Sequence, residues 1–124
     1  MEVRALSRFV RMSPRKLRRV ADLIKGERVD KALAILEFTP KAASRALYAT
    51  LKSAASNAIA AEGSAKVKVE DLFISKIMID GGPTWKRIRP VGMGRAYLIR
   101  KRTSHIGFTL IEKKPKVTAV ETKK

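Results

Sequence analysis

The chain has 124 residues and an apolar share of 45%, enough for one folded unit around a single modest core. Its 28 Lys and Arg stand against 11 Asp and Glu, a formal net charge of +17, so the chain repels itself and suits a polyanionic partner. The absence of cysteine excludes disulfides and thiolate metal sites, and the uncharged runs stay well short of the roughly 20 residues that span a bilayer.

The first residues, Met1-Glu2-Val3-Arg4, begin no signal-peptide apolar core, so the chain reads as soluble and unprocessed, compatible with the cytoplasm. Val3 to Arg11 mixes β-branched, aromatic and basic residues in rough alternation and predicts a strand with arginines on its exposed side. Ser13-Pro14 offers a helix N-cap followed by proline at the first helical position, where its missing N–H costs nothing. Leu17, Val20, Ala21 and Ile24 then fall at helical spacing, with Gly26 as the stop. A short second helix is expected over Asp30 to Glu37, and Thr39-Pro40 repeats the cap-plus-proline signal for a third. That helix, Lys41 to about Ala61 with Gly63 as its stop, carries a narrow seam of Ala43, Leu47, Thr50, Leu51, Ala54 and Ala58, which implies close packing.

After Ser64 the period changes from helical to alternating. Val67, Val69, Leu72, Ile74, Ile77 and Ile79 predict an extended leg, and Ile106, Phe108 and Leu110 share one parity on a return leg, Ser104 to Glu112. With Val91-Gly92-Met93-Gly94 as the turn, Ile79 faces Ile106 and Ile77 faces Phe108, so apolar residues pair only near the base. Beyond Pro83 and Arg102 each leg runs on for about 10 residues, or some 30 Å at roughly 3.3 Å per residue. An isolated two-stranded ribbon is at best marginally stable in water, so this arm needs surroundings. No acidic residue lies between Asp80 and Glu112, while Lys86, Arg87, Arg89, Arg95, Arg100, Lys101 and Arg102 supply seven positive charges. A solvated loop is the ordinary reading of such a run. Here the cations are mostly arginine, whose planar fork matches phosphate, and Trp85, Ile88 and Tyr97 interleave with them as flat or apolar groups for stacking.

No linker or composition shift divides the chain. Residues 1–112 are expected to form one RNA-binding unit that includes an extended hairpin over 80–105, and 113–124 a loose basic tail. The fold class is α+β: three helices packed on a small antiparallel sheet built from the N-terminal strand and both legs, with a long protruding β-hairpin.

Catalytic readings find little support. His105 is the only histidine and alone makes neither a metal site nor a dyad. Glu70-Asp71 reads as a solvated turn, and the serines have no base apart from His105. Gly92 and Gly94 lack the third glycine and the βα setting of a dinucleotide site. No metal, cofactor or catalytic residue is expected. Two other function classes compete with RNA scaffolding. A DNA-bending architectural protein with basic β-arms would share the alanine-rich body and charged hairpin, as an obligate dimer. Against it, basic residues also crowd the N-terminal strand and first helix, suiting an irregular RNA surface. A small basic RNA-processing enzyme would need an acid–base or metal constellation.

Gly82-Pro83-Thr84-Trp85-Lys86-Arg87, Pro90, Gly94-Arg95-Ala96 and Lys101-Arg102-Thr103-Ser104-His105-Ile106 closely resemble bacterial large-subunit ribosomal protein twenty-two. The resemblance extends to Met12-Ser13-Pro14-Arg15-Lys16, Val20 to Gly26, and Ser53 to Ala58, and covers nearly the whole chain apart from the tail. It implies a non-enzymatic constituent of the cytoplasmic large ribosomal subunit, monomeric within the particle. Its implied partners are the large-subunit rRNA, neighbouring ribosomal proteins and the nascent polypeptide. Such a protein has a body near the tunnel exit, a hairpin running inward through RNA, and a part in subunit assembly. The residues expected to bind rRNA are Arg4, Arg8, Arg11, Ser13, Arg15, Lys16, Arg18, Lys86, Arg87, Arg89, Arg100, Lys101, Arg102 and His105. The tunnel-lining tip, carried over from the family, is Val91, Gly92, Met93, Gly94 and Arg95. After Pro90 the family usually reads Arg-Ala, whereas this chain has Val91-Gly92 and then Met93, leaving Arg95 as the principal charge at the tip.

Overall fold

Ile106, Phe108 and Leu110 alternate along one strand, and none of the three is more than 1% exposed, so a single strand face forms the floor of the core. A computed structural model describes residues 2–62 and 68–112. In chain order it contains β1 (Glu2–Val10), α1 (Pro14–Ala21), α2 (Val29–Phe38), α3 (Ala42–Glu62), a single 3-10 turn (Val69–Asp71), β2 (Phe73–Pro90) and β3 (Ala96–Ile111). The expected helix stop at Gly63, the Val67 end of the first leg and the tail 113–124 lie outside the described residues.

The sheet is antiparallel with the order β1-β3-β2, so the return leg is the central strand and the N-terminal strand completes the far side. Ala5 pairs with Phe108 and Val3 with Leu110, while on the other flank Ile77 pairs with Phe108 and Ile79 with Ile106, as the alternation predicted. Onto this face α3 lays its small-residue seam: Ala43, Leu47, Thr50, Leu51, Ala54 and Ala58 are all buried. Small side chains let the helix approach β1 and β3 closely. Helix α1 sits against β2 and α3, while α2 rests mainly on α3 and the 3-10 turn. Each fully buried Leu of this core contributes about 1.5–3 kcal/mol by removal from water. Leu17, Leu36, Leu47, Leu51, Leu72 and Leu110 are such residues.

Several local expectations give way. Helix α1 stops at Ala21, because the next bonds tighten to 3-10 spacing: Leu23 N–H donates to Val20, Ile24 to Ala21, and Glu27 to Ile24. Ile24 remains fully buried and Gly26 takes a left-handed φ of 76°, so the apolar spacing outlasts the helix. Thr39 closes α2 instead of opening α3: its hydroxyl donates to the Ile35 carbonyl at 2.6 Å. Ser13 occupies the N-cap of α1 without a side-chain cap bond. Val69 belongs to the 3-10 turn and not to the strand. The body end of β2 is covered by residues 27–29, where Val29 N–H donates to Leu72 and Ile74 N–H to Glu27, which blunts that sheet edge.

Candidate nucleic-acid interface

Two bulges set how the arm leaves the body. Pairing between β2 and β3 shifts once between Ile74 and Lys76 and again between Gly81 and Thr84, after which seven consecutive pairs run from Thr84 with Arg102 to Pro90 with Ala96. This outer ribbon extends roughly 20 Å. All of its residues are exposed except Ile99, which is half-buried.

Opposed residues share a face, so the register sorts the arm chemically. One face carries Trp85 with Lys101, Arg87 with Ile99, and Arg89 with Tyr97. The Arg87 guanidinium lies 6.0 Å from the Trp85 ring centroid, a cation–π approach that holds both groups flat. The other face carries Thr84 with Arg102 and Lys86 with Arg100 near the root, then Ile88 with Leu98 and Pro90 with Ala96 toward the tip. Lys86 directly opposite Arg100 is a like-charge pair, which destabilises a ribbon unless an anion lies over it. The ion pairs among the described residues are Arg4 with Glu2, Arg28 with Asp30 and Lys31 with Glu27, all on the body. No carboxylate among the described residues neutralises the stem.

At the root the fold joins the two basic stretches. Arg11, Ser13 and Lys16 line a cleft of about 480 Å³ with Arg100, Lys101 and Arg102. Arg15 and Arg18 line an adjoining one with Ser13, Gly81 and Arg102. Pro14 starts α1 beside the bulge, and the Ser104 hydroxyl donates to the Met12 carbonyl at 2.6 Å, which clamps the β1–α1 connection onto β3. Arg18 also serves the body: its Nη2 donates to the Ile79 carbonyl at 2.7 Å. Arg19 and Lys41, which the sequence did not single out, extend the basic surface along the groove between α1 and the start of α3. Their signal was charge alone. Arg4 and Arg8 are exposed on β1, apart from the root cleft.

His105 is held from within the chain. Its Nδ1 accepts the Phe9 N–H at 3.2 Å, which assigns the proton of the neutral ring to Nε2, and the Phe9 ring stands edge-on to it with centroids 5.1 Å apart. Phe9 lies at a β1 bulge with φ 59°, a left-handed conformation costing an L-residue about 1–2 kcal/mol.

At the tip, Arg95 N–H donates to the Gly92 carbonyl at 3.4 Å and Val91 N–H to the Arg95 carbonyl at 3.0 Å. The central residues of this turn are Met93, φ 62°, and Gly94, φ 72°, the positive pair of a type I′ turn. Of the two glycines flanking Met93 only Gly94 takes a left-handed φ, and Met93 itself bears the other strained position while 96% exposed. Met93→Asn, which creates the Asn-Gly pair that this turn prefers, is expected to stabilise the tip by about 1 kcal/mol. Hydrogen exchange of the Val91 and Arg95 amides in the free protein, slowed about fivefold, checks this.

The arm thus presents exposed cations, unpaired with carboxylates among the described residues, interleaved with flat and apolar side chains, the chemistry of a nucleic-acid-facing surface and not of a catalytic pocket. The model of the family described as ribosomal protein L22p/L17e matches residues 5–111. The large ribosomal subunit protein uL22 of Halothermothrix orenii is 52% identical over 92% of this chain and 98% of its own length. That of Desulfitobacterium hafniense is 50% identical over 91% and 96%, and that of Maridesulfovibrio salexigens 53% identical over 90% and 99%. The chain belongs to the ribosomal protein L22p/L17e family, structural components of the large ribosomal subunit and not enzymes.

Proposed function

We propose that the chain is a structural constituent of the cytoplasmic large ribosomal subunit that binds its rRNA through the hairpin stem and root cleft, supports assembly, and lines the polypeptide exit tunnel with its tip. Residues 1–112 act as one RNA-binding unit with the arm at 80–105. The observation that carries this reading is the stem register, which sets Lys86 against Arg100 with no carboxylate among the described residues near them. Such a ribbon is ordered when phosphates surround it. Arg11, Ser13, Arg15, Lys16 and Arg18 meet the RNA at the root with Arg100, Lys101 and Arg102. Lys86, Arg87 and Arg89 meet it along the stem, and Arg4, Arg8 and His105 on the sheet side. Neighbouring ribosomal proteins complete the surroundings of a monomeric body.

The tip from Val91 to Arg95 lies beside the nascent peptide. Deleting Val91-Gly92-Met93 is expected to alter passage of peptides or small molecules through the constriction while leaving assembly nearly intact. A photoreactive group at Met93 should crosslink to a stalled nascent chain, and one at the exposed Lys52 on α3 should not. Equal crosslinking at both positions, or none at Met93, removes the tip from the tunnel wall.

A further inference from the structure

The helices cover one face of the sheet only. On the other face the register lines up Arg4, Thr109 and Lys76 in one row across β1, β3 and β2, then Leu6, Gly107 and Met78 in the next. Leu6 is 59% and Met78 47% exposed. Because Gly107 has no side chain, the central strand forms the floor of a notch of about 470 Å³ between these two apolar walls, with Asp80 also at its edge. That volume falls in the range of small-molecule sites. One outward position further along β3, about 7 Å away, stands His105 with Phe9 edge-on against it.

Phe9 is the informative residue. A bulge of this kind usually gives its left-handed position to glycine, whose missing β-carbon makes it free of strain. Here an aromatic residue holds it at φ 59° while 58% exposed, and a glycine would make the N–H bond to His105 Nδ1 equally well, so that bond does not explain the aromatic side chain. Bulges re-aim side chains, and strain of this sort is kept where a side chain has a task. The bulge turns this ring onto the open face beside the notch.

We propose that this outer sheet face seats one unstacked RNA nucleobase, which rests on the backbone of Gly107 between Leu6 and Met78 and is flanked by the Phe9–His105 pair. The inference rests on the RNA-binding reading above and deepens it on the sheet side, where a seated base joins the contacts of Arg4, Arg8 and His105. Arg4, Lys76 and the exposed Arg8 receive the flanking phosphates, and Arg4 gives up only a long, exposed ion pair with Glu2 at 3.7 Å. Asp80 repels phosphate at the notch itself and accepts hydrogen bonds, so it favours the amino or imino edge of a base there. The apolar strip is one side chain wide and rimmed by cations, a shape that suits a single base better than the broad apolar centre of a protein interface.

The test uses the full chain and deproteinised large-subunit RNA. Phe9→Gly removes the ring and relieves the backbone, so it preserves the bulge. Gly107→Ala fills the floor with a β-carbon whose nearest neighbours, Leu6 Cδ1 at 3.5 Å and Met78 Cβ at 3.9 Å, are ordinary contacts. Each variant is expected to weaken RNA binding about five- to a hundredfold, the cost of losing one stacked base, without lowering the thermal midpoint. In reconstituted subunits a photoreactive group at Met78 should yield an RNA adduct. Wild-type affinity in both variants, or a protein adduct at Met78, overturns this site while leaving the stem reading in place. Failure of the wild-type chain itself to bind the RNA overturns both.

Discussion

Replacing Arg87, Arg89 and Arg102 together by Ala is expected to flatten the salt dependence of binding to large-subunit RNA by about three units at most. Each cation that neutralises a phosphate releases condensed counterions, so log affinity falls with log salt at about 0.9 per contact on a duplex. Between 50 and 200 mM salt, three lost contacts shrink the affinity change by roughly 40-fold. Arg87 and Arg89 stand on the aromatic face and Arg102 on the opposite one, so the triple change samples both sides of the ribbon. All three are exposed, and none is paired with a carboxylate among the described residues, so the body should keep its stability. Arg87 alone has internal company, donating to the Lys86 carbonyl at 2.9 Å beside the Trp85 ring. Assembly of the subunit should suffer as well, in contrast to the tip deletion. A slope equal to that of the wild type removes the stem from the RNA interface.

What the sequence made legible is what periodicity encodes. The parity of Ile106, Phe108 and Leu110 and the seam from Ala43 to Ala58 announced the sheet face and the helix that covers it, because burial forces both patterns. The base register followed from apolar pairing, and Ile77 does meet Phe108, although the turn centres on Met93-Gly94, one residue later than the sequence placed it, and the bulge between Gly81 and Thr84 absorbs the difference. Features that insert a residue without changing its type left no such mark. The bulges at Ile74/Lys76, Gly81/Thr84 and Ser7/Val10 move residues by one position, and nothing in composition distinguishes an inserted residue from a paired one. Phe9 therefore looked like an ordinary strand aromatic. Thr39 failed as a cap for a related reason: the same hydroxyl can open one helix or close another, and only the path from Ile35 decides. The basic residues were readable as a set, but the meeting of Arg11 and Lys16 with Arg100 to Arg102 depends on the β1–α1 connection folding back onto β3, a long-range event.

The aim of the arm turns on two adjacent glycines at the second bulge, for which opposite outcomes are expected. An added β-carbon at Gly81 meets nothing closer than Pro14 Cγ at 4.0 Å, so Gly81→Ala should be close to neutral in stability. At Gly82 the same atom would stand 2.6 Å from Thr103 Oγ1 and 3.2 Å from Cε1 and Nε2 of His105. Neither neighbour can yield freely. Thr103 is 1% exposed and its hydroxyl donates to the Pro83 carbonyl at 2.6 Å, while the His105 ring is fixed by the Phe9 N–H and by the Phe9 ring. Overpacking at such a site costs about 1–3 kcal/mol, so Gly82→Ala should unfold at a lower denaturant concentration with an unchanged slope. Because the strain falls where β2 and β3 leave the body, the variant should also enter large subunits less efficiently than Gly81→Ala. Thr103→Ala removes the closest obstacle, so combining it with Gly82→Ala should recover part of the loss, a coupling that a double-mutant cycle reads directly. Equal stability of the two glycine variants, or strict additivity of Gly82→Ala with Thr103→Ala, would show that the root of the arm is not held by this contact.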